Sequence, residues 1–368
     1  MGRRTLLRRC ALAAGVGLAG FLLPSTDPPL EGRPTMTRPS VGFNLVSWAA
    51  DANTNPNPWL AAIADIAELG IRRVTMVCYR FLNRASGSIN VSSAHGLVAG
   101  PTDSVIAAVL DHGRVNGFDV GILPFVEVDN PEGIGRVWRG SVAFDRSRLA
   151  TFFSDYEKYL LDVAAIARDG SAARFYIGSE LAALTRDKDA ATHWRRLIDA
   201  VRGVVERVPS CRLSYAANFD EFNHVPFWAD LDEIGVDAYY SLASKGQAKG
   251  LSRPTEETLA HGWSRNLKTL RNFSDRQRQR LTISEWGSVP FDLTSTMPWH
   301  WQPSELPDPA EQSHAYQALL HSIRNENDWL SACDIWHWRM PGNDGSAYGI
   351  DGASEVARHI RAYAAGEE

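Results

Sequence analysis

The sequence predicts a single (β/α)8 TIM barrel, an α/β fold in which eight parallel strands form a ring inside a layer of helices. From Val41 to the end of the chain, eight strand-like segments alternate with amphipathic segments of helical spacing. Two of the strand-like segments end abruptly in a glutamate, Glu180 and Glu285. The alternative, a doubly wound open sheet, calls for a glycine-rich turn after the first strand, and Asn44-Leu-Val-Ser-Trp48 is not such a turn.

The predicted strands are short apolar runs, and the predicted helices repeat apolar residues at positions i, i+3 and i+4. The strands span Val41–Val46, Arg72–Val77, Asp119–Val126, Arg174–Ile177, Arg212–Ala216, Gly235–Ala238, Arg280–Ser284 and Asp334–Trp338. The helices span Pro58–Leu69, Thr102–Asn116, Leu149–Ala167, Ala191–Val208, Thr255–Asn272 and Ala310–Asn327. Asp103 and Thr255 are predicted N-caps, and Gly70 and Gly117 are predicted C-terminal stops.

The amino-acid composition is that of an ordinary globular enzyme. Of the 368 residues, 44% are hydrophobic and 22% are charged. The twelve tryptophans and ten tyrosines are a more specific signal. Flat aromatic faces line clefts that bind sugar rings, and several of these residues follow predicted strand ends.

The N-terminal segment predicts export. Arg3-Arg4-Thr5-Leu6-Leu7 resembles a twin-arginine motif, and the apolar run Ala11–Leu23 after it is short for a membrane span. We therefore interpret residues 1–24 as a signal, residues 25–38 as a linker and residues 39–368 as the barrel. This predicts a periplasmic or secreted protein. Since no clear A-x-A cleavage site follows, an uncleaved membrane anchor is a second interpretation, and a basic helix of the domain is a third.

The net charge argues against nucleic acid as a partner. Without residues 1–24 the chain has 34 basic and 43 acidic residues, a net charge of −9. Such a surface repels a polyanion. A neutral or cationic glycan is the better match.

The cysteines predict neither a disulfide framework nor a zinc site. Cys78, Cys211 and Cys333 remain after the signal, an odd number, each within or beside an apolar run. They are predicted to be buried free thiols. We expect no metal and no cofactor.

The two glutamates predict cleavage of a glycosidic bond. Glu180 ends Tyr176-Ile-Gly-Ser-Glu180-Leu181, and Glu285 ends Leu281-Thr-Ile-Ser-Glu285-Trp-Gly287. Carboxylates at the C-terminal tips of barrel strands point into one active-site mouth. At a separation of about 5–5.5 Å, one attacks the anomeric carbon while the other protonates the leaving oxygen. The alternative is that each glutamate forms an ion pair with an arginine. The small residues Gly178 and Ser179 would let a sugar ring approach Glu180.

The predicted fifth and sixth strands each end in residues that suit a sugar site. Asn218 is predicted to hydrogen-bond a sugar hydroxyl, or else to cap a loop. Asp237 is a second candidate for sugar binding. Tyr239 and Tyr240 alternate in direction, so only one can face the pocket. Tyr240 is predicted to face it and to donate a hydrogen bond to Glu285.

Further candidates come from the remaining strand ends. In the predicted eighth strand, alternation places Trp336 and Trp338 on one side, and Trp338 is predicted to form a sugar platform, with a core position as the alternative. Trp138, in the loop after the third strand, is predicted to bind a sugar further along the chain, with Glu127 nearby. Asn44 and Tyr79 are predicted to line the opposite rim.

Five short motifs occur in the order found in one known enzyme family. They are Phe153-Ser-Asp-Tyr156, Tyr176-Ile-Gly-Ser-Glu180-Leu181, Leu213-Ser-Tyr-Ala-Ala-Asn218-Phe-Asp-Glu221, Leu231-Asp-Glu-Ile-Gly-Val-Asp237-Ala-Tyr-Tyr240 and Ile283-Ser-Glu285-Trp-Gly287. From about Gly42 to Trp338 the chain resembles glycoside hydrolase family 113, a family of retaining barrel hydrolases known for cleaving β-mannan. The resemblance implies a poly- or oligosaccharide substrate, with Glu180 as acid/base and Glu285 as nucleophile.

Two other functions compete with this hypothesis. A non-catalytic glycan-binding barrel would keep the aromatic residues and lose a carboxylate, but both glutamates are present. A metal-dependent barrel hydrolase would need clustered His and Asp ligands. The ten histidines are scattered along the sequence, with none at the tip of the first strand.

Overall fold

The computed structural model describes residues 38–93, 99–129, 137–208, 210–244, 253–340 and 346–367. The predicted signal, residues 1–24, and the predicted linker, residues 25–38, lie outside these ranges except for Arg38. The described residues all belong to one compact unit. No helix within these ranges combines the length and apolar character that crossing a membrane requires.

Within the described ranges, nine strands form one sheet. They are β1 Ser40–Leu45, β2 Arg73–Leu82, β3 Ile89–Asn90, β4 Asp119–Val128, β5 Arg174–Ser179, β6 Arg212–Asn218, β7 Ile234–Asp237, β8 Leu281–Trp286 and β9 Leu330–Ile335. Their order is β1-β9-β8-β7-β6-β5-β4-β2-β3, and β1 also pairs with β2. Every pairing is parallel except that of β2 with β3. The eight parallel strands therefore close into a ring, and the predicted barrel is confirmed.

Helices follow the strands along the chain. They are α1 Asn57–Glu68, α2 Asp103–Val115, α3 Arg146–Asp169, α4 Ala182–Arg186, α5 Ala191–Val205, α6 Glu256–Gln277, α7 Pro309–Ile323 and α8 Glu355–Ala365. Each buries one apolar stripe; in α5, for example, Trp194, Leu197 and Val201 are fully covered. This is the amphipathic spacing read from the sequence.

Three of the four predicted helix ends are confirmed. Thr255 caps α6 by accepting a hydrogen bond from the Thr258 N–H. Gly70 and Gly117 follow α1 and α2 with φ values of 79° and 70°, in the left-handed region that glycine adopts without steric cost. The prediction for Asp103 is wrong, because Asp103 is the first residue of α2 and Thr102 occupies the cap position.

The last strand differs most from its prediction. β9 begins at Leu330 and ends at Ile335, whereas the predicted strand was Asp334–Trp338. The strand begins in a segment, Leu330-Ser-Ala-Cys, whose small residues give a weak strand signal. Trp336 and Trp338 consequently lie beyond the strand, a point that matters for the site.

A buried ion pair lies inside the barrel. Arg73 donates to the Asp334 carboxylate from Nε at 2.6 Å and from Nη2 at 2.9 Å, and Thr75 Oγ1 adds a third contact at 3.3 Å. Asp334 is fully buried. Arg174 lies beside the pair, and its guanidinium donates a hydrogen bond to the Val74 carbonyl. Arg73 and Arg174 are the first residues of β2 and β5. The pair therefore lies towards the N-terminal end of the barrel, away from the strand ends that carry the glutamates.

Candidate active site

The two glutamates line one cavity at the C-terminal ends of the strands. Glu180 directly follows β5, and Glu285 is the penultimate residue of β8. The cavity has a volume of about 510 Å³, and both residues contribute to its wall. Each is more than nine-tenths buried. The structure thus brings together two carboxyl groups that are 105 residues apart in the sequence.

Three donors fix the orientation of the Glu180 carboxylate. Oε2 accepts from Trp138 Nε1 at 2.8 Å and from Arg139 Nη1 at 3.0 Å, while Oε1 accepts from Asn218 Nδ2 at 3.0 Å. Asn218 therefore lies in the cavity, and its side-chain amide donates to Glu180. Trp138 lies closer to the two glutamates than predicted, since its indole N–H donates to Glu180 itself.

The backbone at Glu180 is unusual. Its φ is 52°, in the left-handed region that costs a residue with a Cβ free energy. Two hydrogen bonds hold this conformation: the Glu180 N–H donates to the Ala216 carbonyl at 2.8 Å, and the Leu181 N–H donates to the Tyr215 hydroxyl at 2.6 Å. Neighbouring groups therefore compensate for the strain.

Gly178 is small for a different reason from the one predicted. A Cβ at this position would lie 2.3 Å from the hydroxyl of Tyr156, which donates to the Ile177 carbonyl at 2.8 Å. Its φ of 145° is also one that residues with a Cβ rarely adopt. Gly178 thus makes room for a buried tyrosine rather than for a sugar.

Tyr239, not Tyr240, reaches the second glutamate. The Tyr239 hydroxyl donates to Glu285 Oε2 at 3.3 Å, whereas the Tyr240 hydroxyl points to the Phe219 carbonyl at 3.5 Å. The prediction for Tyr240 is wrong because β7 ends at Asp237. The next residues form a tight turn, closed by a 2.7 Å hydrogen bond from the Tyr240 N–H to the Ala238 carbonyl. Strand alternation therefore does not extend to the tyrosines.

The pKa of Glu285 lies above its usual value. Burial, followed by the negative charge of Glu180, raises the pKa of Glu285 to about 8, against the opposing effects of Arg139 and Tyr239. The two carboxyl groups line the same cavity, and a negative charge on one disfavours ionisation of the other. The arrangement can therefore supply both a carboxylate and a carboxylic acid.

Arg139 connects two acidic residues of the cavity. Its Nη1 donates to Glu180, its Nη2 donates to Glu127 at 3.0 Å, and its Nε donates to the Val126 carbonyl at 3.0 Å. The guanidinium also lies over the Phe125 ring, 4.2 Å from its centre. Arg139 therefore forms ion pairs with both Glu127 and Glu180.

Asp237 lies beneath the cavity rather than in it. It is fully buried and accepts from Ser284 Oγ at 2.7 Å and from Ser179 Oγ at 3.3 Å. Burial, and then the charges of Glu285 and Glu180, raise the pKa of Asp237 well above its usual value. The prediction that Asp237 contacts the sugar is wrong. It instead connects the two residues that precede the glutamates.

The predicted platform Trp338 is a core residue. It is 2% exposed and packs edge-on against Phe43, with ring centres 5.0 Å apart. Trp336 lines the cavity in its place. The prediction failed because β9 ends at Ile335, so the assumed alternation does not apply to either tryptophan.

Asn44 and Tyr79 do not line the cavity either. Asn44 is fully buried and donates to the Ser284 carbonyl at 2.9 Å, which supports β8 from below. The Tyr79 hydroxyl donates to the Ser47 carbonyl at 2.8 Å and accepts from Asn53. Both predictions are wrong for one reason: Asn44 lies within β1, and β2 continues to Leu82, so neither residue follows its strand.

Sequence reasoning missed three aromatic residues of the cavity wall. Trp299 is 49% exposed and stacks on Phe219, with ring centres 5.8 Å apart and planes at 28°. Phe219 is itself the second of these residues. Tyr348 is the third, and its ring lies edge-on to that of Tyr239. Trp299 and Tyr348 come from irregular segments after β8 and β9. The high tryptophan content of the sequence was the one signal that pointed to Trp299.

One group of carboxylates has the spacing of a metal site among the described residues. It comprises Asp292, Asp308 and Glu311. Asp308 caps α7 and accepts from Arg253, and Glu311 accepts from the Ser295 backbone N–H at 2.9 Å. These oxygens therefore already have donors. None of the three residues lines the cavity of the glutamates.

The chain was compared with known families and structures. The family model of glycoside hydrolase family 113 matches residues 54–350. A family 113 β-1,4-mannanase has a TM-score of 0.72 and 18% identity, over 90% of this chain and 99% of that chain. The family 113 β-mannanase of Alicyclobacillus acidocaldarius has a TM-score of 0.71 and 20% identity, over 89% and 97%.

A more distant likeness is to the family 5 mannosidase of Rhizomucor miehei, with a TM-score of 0.62 and 11% identity over 90% of this chain and 94% of that chain. At such low identities these structures show a shared fold. A comparison with curated proteins found no match.

Proposed function

The chain belongs to glycoside hydrolase family 113, and from that premise we propose that it is a retaining endo-β-glycosidase whose substrate is β-1,4-mannan. One observation carries the proposal: Glu180 and Glu285 line one buried cavity, each with its own hydrogen-bond donors. Mannan as the substrate is supported by the activity named for the similar family 113 structures.

In the proposed mechanism Glu285 attacks the anomeric carbon. Its carboxylate forms a bond to that carbon while the bond to the leaving oxygen breaks and Glu180 gives its proton to that oxygen. Glu180 then takes a proton from water, and the water oxygen displaces Glu285. Two inversions give net retention. The Tyr239 hydroxyl orients Glu285 for the attack.

A proton has to reside on Glu180 when the bond breaks. In the free enzyme the pKa of Glu285, raised to about 8 by burial and by the charge of Glu180, favours the protonated form of the nucleophile at neutral pH. Positive charge develops on the sugar ring in the transition state, and it favours the ionised form of the carboxyl group closest to the ring. That group is Glu285, so the proton shifts to Glu180 as the reaction proceeds.

The cavity wall suits an uncharged sugar chain. Apolar ring faces line the wall: Trp138, Trp336, and Trp299, which stacks on Phe219. The side-chain NH2 group of Asn218 can also donate a hydrogen bond to a sugar hydroxyl. Phosphate or sulfate groups are disfavoured, because the wall has several carboxylates and Arg139 is already paired with two of them. We place the sugar at the cleavage point between Trp336 and the glutamates.

We also propose that the protein is exported. The support is the twin-arginine-like motif Arg3-Arg4-Thr5-Leu6-Leu7 and the apolar run Ala11–Leu23. Replacing Arg3 and Arg4 with lysine should retain the protein in the cytoplasm. Cell fractionation measures this, and unchanged export of the double variant would contradict the proposal.

The function is tested by product analysis on defined glycans. Purified enzyme is incubated with β-1,4-mannan, cellulose, xylan and mannooligosaccharides of increasing length, and ¹H NMR follows the first product. We expect cleavage of mannan, a β-anomer as the first product, and rates that increase with chain length. An α-anomer would refute retention, and inactivity on mannan together with activity on another glycan would refute the substrate assignment.

The pH profile of kcat/KM should fall above about pH 8, the pKa of Glu285, since Glu285 then loses the proton that the proposed mechanism transfers to Glu180 for the leaving oxygen. The profile is measured with a mannooligosaccharide and, as a control, with a dinitrophenyl mannobioside, whose leaving group needs no proton. The fall should be weaker for the control. Equal falls for both substrates would contradict this account.

A further inference from the structure

We propose that Glu221, which has no place in the mechanism above, is a positioning residue that holds Glu180 in its catalytic geometry through Asn218 and Tyr215. The inference rests on the proposed role of Glu180 as acid/base. Glu221 lies in the loop after β6, immediately before the turn Phe222–His224, and is fully buried. It does not line the cavity.

The Glu221 carboxylate accepts from three donors. Oε2 accepts from the backbone N–H of Asn218 at 3.0 Å. Oε1 accepts from the Thr185 hydroxyl and from the Tyr215 hydroxyl, both at 2.8 Å. The three donors belong to β6 and α4, so one carboxylate fixes three points in the wall behind the cavity.

Two of these points lead directly to Glu180. The Asn218 side chain donates to Glu180 Oε1 at 3.0 Å, so Glu221 sets the backbone from which that amide reaches. The Tyr215 hydroxyl donates to Glu221 and accepts from the N–H of Leu181, the residue after Glu180. Both the carboxylate of Glu180 and its strained backbone, with φ of 52°, therefore depend on Glu221.

Only a carboxylate satisfies all three donors. A glutamine would keep one oxygen and would turn an NH2 group towards either the hydroxyls or the Asn218 N–H. If the NH2 group faces the hydroxyls, the proton of the buried Tyr215 hydroxyl loses its acceptor. If it faces the Asn218 N–H, that N–H loses its acceptor instead. Either orientation disturbs a contact that leads to Glu180. Burying a carboxylate is costly unless it is well bonded. The cost is compensated here by three hydrogen bonds, two of which lead to Glu180.

The test uses a readout that a merely structural role would not change. The readout is the ratio of kcat/KM for dinitrophenyl mannobioside to kcat/KM for mannohexaose. Because kcat/KM reports bond cleavage, losing acid assistance lowers it for the poor leaving group and spares the activated one. Loss of folded enzyme lowers both equally. Burial raises the pKa of Glu221 to about 7, so assays are run at about pH 7.5, where the ionised form predominates.

We expect Glu221→Gln to raise this ratio about tenfold, the scale of one misplaced hydrogen bond to a charged group. Glu180→Gln should raise it more, roughly 10²–10⁴-fold. Tyr215→Phe, which retains the ring and removes only the connecting hydroxyl, should raise it about threefold. It provides the readout if Glu221→Gln does not fold. Glu206→Gln, an exposed site at the end of α5, is the matched control and should leave the ratio unchanged.

The outcomes separate this inference from the function on which it rests. An unchanged ratio in folded Glu221→Gln and Tyr215→Phe, with a raised ratio in Glu180→Gln, would overturn the role of Glu221 alone. An unchanged ratio in Glu180→Gln would overturn the acid/base assignment and this inference with it. In a double-mutant cycle, Glu221→Gln should cost less in an Asn218→Ala background than in the parent, and full additivity would contradict coupling through Asn218.

Discussion

Replacing Glu285 with glutamine should lower kcat/KM on mannan by at least roughly 10⁴-fold, because the amide cannot form the covalent intermediate. Glu285 lies in the cavity wall with one oxygen on the Tyr239 hydroxyl. Among the described residues, the other carboxylates lining the cavity are Glu127, Glu180 and Asp220. Glu180 and Glu127 are already paired with Arg139, and Asp220 lies in the loop after β6 rather than on β8, so we expect none of the three to substitute as nucleophile. Steady-state kinetics measure the loss, and thermal unfolding checks that the variant folds.

Azide distinguishes the roles of the two glutamates. With Glu285→Ala, azide can enter the vacated space and displace an activated leaving group once, which gives an α-glycosyl azide. With Glu180→Ala, the covalent intermediate still forms and azide replaces water in its breakdown, which gives a β-glycosyl azide. The reverse pattern would exchange the two assignments. Tyr239→Phe and Tyr240→Phe form a matched pair, and only the first should slow attack by Glu285.

Replacing Asp334 with asparagine should destabilise the fold by about 3–5 kcal/mol, because Arg73 is then buried with no charged partner. Arg73 bonds the carboxylate at 2.6 and 2.9 Å, and Arg174 lies alongside, so the carboxylate balances a local excess of positive charge. Urea unfolding followed by circular dichroism measures the change. A loss below about 1 kcal/mol would contradict the account.

Two controls separate this pair from ordinary surface charge. Asp351→Asn removes the partner of Arg339 at 3.4 Å in a half-buried pair and should change stability by less than about 1 kcal/mol. The double replacement Arg73→Met with Asp334→Leu removes both charges at once. It should recover most of the loss, because an apolar pair of similar volume needs no desolvation of charge.

The barrel and its two glutamates could be predicted because both follow from strong local patterns. Strands buried on both faces read as continuous apolar runs, and such runs end visibly at Glu180 and Glu285. In a parallel barrel all strand ends share one face, so the sequence also predicts that these residues meet. The position of Asn218 in the cavity follows for the same reason, since it is the last residue of β6, whereas its predicted contact with a sugar stays a prediction.

The errors arose where a strand ended earlier or later than its pattern suggested. Tyr240 and Trp338 were chosen by alternation, which has no meaning beyond Asp237 and Ile335. Tyr79 was placed after a strand that in fact continues past it. Trp299 lies in an irregular segment, where position depends on tertiary contacts that no periodic pattern records. The sequence thus shows that a strand ends more reliably than it shows at which residue it ends. Which of two neighbouring residues faces the cavity depends on that exact residue.

Asp237 has a consequence for how enzymes of this design can diversify. Through Ser179 and Ser284 it connects, from below, the two strand ends that carry Glu180 and Glu285. The gap between two such carboxyl groups decides whether the sugar's configuration is kept or inverted. Here Asp237 belongs to the rigid ring, whereas Trp138 and Trp299 belong to the loops above it. Changes in those loops can therefore alter which polymer is accepted without changing the spacing of the two carboxyl groups, on which the stereochemical outcome depends.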